Sequence, residues 1–258
     1  MAKFAANLSM LFTEVDFLQR FSLAAKNGFE AVEYMFPYEF SAQTLKQELQ
    51  ANHLTQVLFN LPAGDWNGGE RGIACLPDRK QEFQHGVKQA IEYAQVLECQ
   101  QINCLVGRAD PALSDEETLA VLVENLRFAA DMLAKANIRL LVEAVNTYDI
   151  PNFYLSRSAQ VEALIKRVNH PNLYFQYDIY HMQRMEGELT ATMERLFNHI
   201  AHIQLADNPG RHEPGTGEIN YRYLFNQLDA MGYQGWIGCE YKPATTTEQG
   251  LGWMKHYL

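Results

Sequence analysis

The chain is expected to fold as an α/β protein, a single (β/α)8 TIM barrel over residues 1–258, and three observations predict it. Its 258 residues are close to the roughly 250 of such a barrel, which commonly forms one domain. Short apolar runs alternate with longer amphipathic ones through eight rounds, the pattern of parallel strands joined by crossover helices. The last four apolar runs each carry a polar residue at or near the end: Glu143, Asp178, Gln204 and Glu240.

Strands are predicted at 4–8, 31–36, 55–60, 101–106, 139–143, 173–178, 202–205 and 236–240. Between them, apolar residues recur at three- and four-residue steps over 14–26, 81–97, 116–136 and 221–231. In the second of these helices Val87, Ala90, Ile91, Ala94 and Leu97 form an inner face. Asn27-Gly28 stops the first helix. Ser114 followed by Glu117 has the spacing of a capping box, which satisfies free amides at a helix start. The alternation alone fits an open doubly wound sheet as well as a closed barrel. Eight evenly spread units favour closure, and the turn after the first strand, AANLSMLFTE, lacks the glycines of a dinucleotide-binding turn. No linker, charge block or composition break marks a second domain.

A formal net charge of -10 argues against a general polyanion binder, because phosphate backbones are held by clustered Lys and Arg. Nucleic acid is therefore not an expected partner, whereas a small carboxylate substrate needs only a few converging cations. No apolar run approaches the roughly 20 residues that span a bilayer. The opening MAKFAANLSMLF, with one Lys and polar Thr13-Glu14 close behind, does not read as a signal peptide. Cys75, Cys99, Cys104 and Cys239 are scattered, with no CxxC pair, as expected of reduced, buried thiols. A cytoplasmic protein with no membrane partner is expected, and a homo-oligomer stays open.

Residues at the carboxyl ends of barrel strands point into the active site. Taken singly, each of the four has an ordinary explanation: Glu143 could pair with an arginine, Asp178 cap the next helix, Gln204 satisfy a backbone group, Glu240 stand in solvent. Together they do not, since burying several carboxylates at one end of a barrel is costly unless a cation or protons compensate. Three carboxylates and an amide oxygen make an all-oxygen donor set for one divalent metal, Mg²⁺ first and Mn²⁺ second, rather than zinc. Such an ion polarises a carbonyl and its neighbouring hydroxyl, stabilising the enediolate left when a proton is removed beside the carbonyl. Moving that proton between adjacent carbons needs an acid and a base. Glu143 and Glu240 take those roles, in an order the sequence leaves open, while Asp178 and Gln204 mainly hold the metal.

The stretches FAANLSMLFTE, EYMFPY, FNLPAGDWNGGERGIACLPDR, NCLVG, LVEAVN, QYDIYHMQRMEGELT, HIQLADNPGRHEPGTGEINY and GWIGCEYKP resemble the xylose isomerase-like barrel family over essentially the full chain. The resemblance implies metal binding at Glu143, Asp178, Gln204 and Glu240, with Glu143 and Glu240 as acid and base. It implies an isomerase of small oxo-acids, interconverting hydroxypyruvate and tartronate semialdehyde, or acting on a longer 2-oxo-tetronate, or more distantly a sugar epimerase. It further implies substrate contacts at His181, Arg211 and His212; a helix-start histidine and a polar surface loop are the plainer readings of those residues. The family's sugar enzymes usually carry His where this chain has Gln204, so the ion here is expected to be weakly held or dispensable.

The loop 64–72, GDWNGGERG, has neither the spacing nor the context of a phosphate-binding turn and reads as a mobile cover. Within it Trp66 would exclude water and Arg71 would pair with a substrate carboxylate in bidentate fashion. His199 and His202 read as structural. Three other classes compete with an isomerase. A metal-dependent nuclease needs a His-rich multinuclear site and a basic face; a carbohydrate-binding barrel predicts no effect of Glu143→Gln or Glu240→Gln; a nicotinamide-dependent oxidoreductase lacks its glycine turn.

Overall fold

Two-residue alternation along the strands decides which side chains meet inside the barrel. The computed structural model describes residues 2–257, so Met1 and Leu258, the ends of the expected domain, lie outside the described residues. Eight parallel strands close in sequence order: β1 (Lys3–Asn7), β2 (Ala31–Glu33), β3 (Thr55–Asn60), β4 (Gln101–Cys104), β5 (Arg139–Glu143), β6 (Leu173–Asp178), β7 (Ile200–Leu205) and β8 (Trp236–Cys239). Pairing of β8 with β1, Ala5 opposite Gly238, closes the ring and leaves no sheet edge. Outside it run α1 (Phe17–Lys26), α2 (Ala42–Ala51), α3 (Lys80–Leu97), α4 (Asp115–Lys135), α5 (Ser158–Val168), α6 (Ile179–Met185), α7 (Leu189–Leu196) and α8 (Tyr221–Met231).

Alternate strand residues such as Phe4, Ala6, Leu140 and Val142 point outward and share one core with helix residues including Phe21, Val87, Ala90 and Leu126. The others point inward, where Ala5, Ala31, Val57, Leu58 and Leu141 make a small apolar plug. Two residues further along the same strands come Asn7, Glu33, Asn60 and Glu143, all buried, so the interior turns polar toward the carboxyl ends.

Strand and helix bounds agree with the sequence to within a few residues, and the departures have physical causes. β2 stops at Glu33 rather than residue 36. The following apolar residues pack elsewhere: Tyr34 against Phe17 and Phe21, and Phe36 against Trp66. β4 and β8 likewise end at Cys104 and Cys239, earlier than expected, and β7 begins earlier, at Ile200. The first helix starts at Phe17 instead of residue 14, because Glu14 is engaged with the backbone amide and hydroxyl of Thr247. The Ser114–Glu117 capping box is present, and Asn27 caps α1 with Gly28 beyond it at φ +87. All four cysteines are free and buried. No described helix is long and apolar enough to cross a membrane.

Candidate active site

Strand register carries the inward polar residues to a common level: Glu143 lies opposite Gln176, and Asp178 opposite Gln204, which in turn lies opposite Gly238. Glu240 is the first residue beyond β8 and accepts a hydrogen bond from Arg211 Nη2 at 3.1 Å. Glu143, Asp178, His181 and Glu240 each bring one ligand atom to within 4.8 Å of the others, a buried group able to hold a metal ion. Glu143, His181 and Glu240 line a cavity of about 540 Å³ together with Gln204, Arg71 and Arg211, while Asp178 is fully buried and is not part of its lining.

Each carboxylate shows the strain of this crowding. Glu143 is held well above the ordinary carboxylate range by burial, then by the charges of Glu240 and Asp178. Burial pushes Glu240 up to about 8, with Arg211 pulling the other way. Asp178 is raised by burial as well. Its two oxygens divide the work. Oδ1 accepts from the amides of Tyr180 and His181, capping α6, while Oδ2 is buried with no hydrogen-bond partner among the described residues. The cap expected as an alternative for Asp178 therefore coexists with an oxygen facing the cluster.

His181 Nε2 lies 3.8 Å from Glu143 and 3.6 Å from Asp178. Its Nδ1 sits 2.7 Å from Asn146 Nδ2 and accepts from the Asn146 backbone amide at 3.4 Å, so the proton belongs on Nε2. Burial, then Arg211 and Arg184, lowers its proton affinity well below the usual imidazole range. In this tautomer Nε2–H donates to an oxygen in the cavity, so within the clustered four it is the three carboxylates that offer lone pairs to an ion.

Arg211, at φ +56, also lies 3.7 Å from Asp149 and 5.1 Å from the Tyr180 ring centre. Burial works against its charge, yet Glu240 and Asp178 hold its proton more tightly than usual. Arg71 stacks 4.0 Å over the Trp66 ring, and its Nη1 donates to the carbonyls of Trp66 and Glu70. The loop 64–72 is anchored by Glu70, which accepts from Arg79 at 2.5 Å. Its end presses on the loop after β4: a Cβ on Gly72 (φ +116) would meet Leu105 O at 2.0 Å, and one on Gly107 would meet Gly72 O at 2.3 Å. His212 is the residue the structure does not bring in; its ring meets the Lys242 carbonyl at 2.7 Å and stands outside the cavity lining.

Sequence reasoning passed over several residues of this cavity. Asn7, Glu33 and Asn60 end β1, β2 and β3; the strand-end rule used for the later strands reaches Asn60 and, one residue short of its predicted end, Asn7, but not Glu33, which falls inside the predicted strand 31–36. Asp149, Tyr180 and Arg184 come from the loop after β5 and from α6 and carry no such positional signal.

Fold and site together define a closed α/β barrel with a buried acidic cluster opening on a cavity of small-molecule size. The chain belongs to the xylose isomerase-like TIM barrel family, whose profile matches residues 21–257, and it is an isomerase of that family. It is 57% identical to hydroxypyruvate isomerase of Escherichia coli, over all of both chains. It is 46% identical to 2-oxo-tetronate isomerase of Cupriavidus necator, covering 100% of this chain and 99% of that one. A crystal structure from Brucella melitensis, described as AP endonuclease, family 2, superposes with a TM-score of 0.97 at 46% identity, covering 100% and 99% of the two chains.

Proposed function

We propose that this protein interconverts hydroxypyruvate and 2-hydroxy-3-oxopropanoate (tartronate semialdehyde) through an enediolate, with Glu143 and Glu240 as acid and base. The observation that carries the reading is that these two acids share one buried cluster and are both held above the usual carboxylate range. Carboxyl groups raised in this way can hold a proton and give it up in the course of a reaction. One takes the proton from C3 of hydroxypyruvate and leaves the enediolate. The other delivers a proton to C2, while the C3 hydroxyl gives up its hydrogen to become the aldehyde and the C2 oxygen gains one. His181, through Nε2–H, and Arg211 steady the substrate oxygens, and Arg71 takes the substrate carboxylate.

A divalent ion, Mg²⁺ first and Mn²⁺ second, fits the donors present: three crowded carboxylates, among them the Asp178 Oδ2 that has no hydrogen-bond partner among the described residues, and the amide oxygen of Gln204. When bound it supplies positive charge that polarises the substrate carbonyl.

The 57% identity to the E. coli enzyme favours the three-carbon acid over a 2-oxo-tetronate, the second reading, which the 46% relative supports. The description of the Brucella structure points to DNA, but the metal-capable group among the described residues contains one histidine and the chain carries a net charge of -10. The deciding experiment is proton exchange of hydroxypyruvate in deuterated water, with and without chelator. Deuterium at C2 or C3 that disappears on chelation is expected, and no exchange by the metal-loaded protein refutes the reading. Faster turnover of a 2-oxo-tetronate than of hydroxypyruvate moves the assignment to the longer acid.

A further inference from the structure

Glu33 is a buried acid that the chemistry above does not use. It ends β2 with 1% of its surface exposed and accepts three hydrogen bonds. Asn7 Nδ2 at 2.9 Å and Gln204 Nε2 at 2.7 Å meet Oε1, and His202 Nε2 at 2.6 Å meets Oε2. On the other side of the carboxylate lies Gly238, where an added Cβ would come 2.3 Å from both oxygens. The absence of a side chain on β8 is thus what makes room for this acid.

The donor and acceptor directions in this network are fixed by chemistry. A carboxylate taking three donors has no hydrogen to offer, so the atom of Gln204 that faces it is the nitrogen. Turning the amide over would set oxygen against oxygen at the same 2.7 Å. At its other end the Gln204 oxygen accepts from Gln176 Nε2 at 2.7 Å, which leaves that oxygen one free lone pair. His202 is held in turn: Nε2 donates to Glu33, and Nδ1 meets Gln101 Nε2 at 3.2 Å. The Gln176 contact favours the same face of the Gln204 amide, and the carboxylate, which offers no donor, enforces it.

We propose that Glu33 is a positioning residue: clamped by Asn7 and His202 in the space left by Gly238, its carboxylate holds the Gln204 amide so that oxygen, and not nitrogen, is what Gln204 offers to the site. The inference rests on the reading of Gln204 as an oxygen donor in this cavity. Orienting partners of this kind typically change metal affinity or activity by about 10- to 100-fold when removed.

Two variants perturb Glu33 by unrelated routes. Glu33→Gln keeps its shape but adds a donor, and Gly238→Ala keeps every polar group but displaces the carboxylate. Mn²⁺ binding is measured by calorimetry, kcat and KM with hydroxypyruvate, and folding by thermal unfolding. Both variants are expected to weaken Mn²⁺ binding and lower kcat by about 10- to 100-fold with KM little changed. In a Gln204→Ala background Glu33→Gln is expected to add no further loss, because its effect passes through that amide. The same loss with and without Gln204, or an unchanged Mn²⁺ affinity and kcat in folded Glu33→Gln and Gly238→Ala proteins, overturns the proposal. So does a Gln204→Ala protein with wild-type Mn²⁺ affinity and kcat. The ring ¹⁵N shifts of His202 need neither metal nor substrate: a protonated Nε2 is expected, and a bare Nε2 removes the clamp. Failure of the wild type to turn over hydroxypyruvate would sink the substrate assignment alone, since Mn²⁺ binding and the ¹⁵N shifts still decide the role of Glu33.

Discussion

Glu240 makes the metal-free protein lose stability as pH rises from acid toward about 8, and the size of that effect follows from its surroundings. Burial raises its proton affinity from an ordinary 4.5 to about 8 in the folded chain. Below the unfolded value the group is protonated in both states and costs nothing. As pH rises, the unfolded chain releases the proton while the folded chain keeps it, so stability falls until the folded value is reached. At about 1.4 kcal/mol per pH unit, the rise from 4.5 to about 8 amounts to about 5 kcal/mol. Relaxation and water entry around the ionised group reduce this to about 2–3 kcal/mol, a fall of about 5–10 °C in melting temperature for a chain of this size. Calorimetric melting of chelator-treated protein between about pH 4.5 and about pH 8 measures it, with Glu240→Gln as the variant that lacks the group. Mn²⁺ is expected to restore most of the loss at the higher pH, because an ion held by the cluster would stabilise its ionised form. A chelated wild type that melts no lower at the higher pH, or a Glu240→Gln protein with the same slope, refutes the reasoning.

Removing either of the acids proposed to move the proton, by Glu143→Gln or Glu240→Gln, is expected to cut turnover of hydroxypyruvate by about 100-fold or more, with the far-ultraviolet circular dichroism unchanged. Arg71→Lys replaces a fork with a point charge and is expected to raise KM for the oxo-acid about tenfold, with a smaller change in kcat, by steady-state kinetics. Gly72→Ala drives a Cβ against the Leu105 carbonyl at a positive φ, so a loss of about 2–3 kcal/mol is expected in chemical unfolding. Ser114→Ala removes the capping box of α4 for about 1 kcal/mol and leaves turnover untouched.

How much of this was readable in the sequence depends on how local the determining physics is. Apolar runs and three- to four-residue periods fix where strands and helices form, and Thr55–Asn60, Arg139–Glu143, Leu173–Asp178 and Tyr221–Met231 have the predicted bounds. The convergence of Glu143, Asp178 and Glu240 followed from barrel geometry, since strand ends must share one rim. Glu33 was hidden inside an apolar stretch, because AVEYMF reads as one strand although the chain leaves the barrel at Glu33. The place of His212 depends on how the 207–212 turn folds, which no period encodes; there the Asp207 amide bonds back to the His212 carbonyl. The division of labour between the two Asp178 oxygens is likewise a matter of a few tenths of an ångström.

The meeting of Gly72 with Gly107 ties together the evolutionary freedom of two rim segments. Because backbone rests on backbone there, neither segment can acquire a side chain at the junction, or change length beside it, unless the other yields in step. Elsewhere on the cavity lining the contacts are made by side chains, as where Arg184 lies over the Tyr180 and Tyr148 rings and donates to the Pro209 carbonyl, and a replacement there meets no such backbone-to-backbone contact.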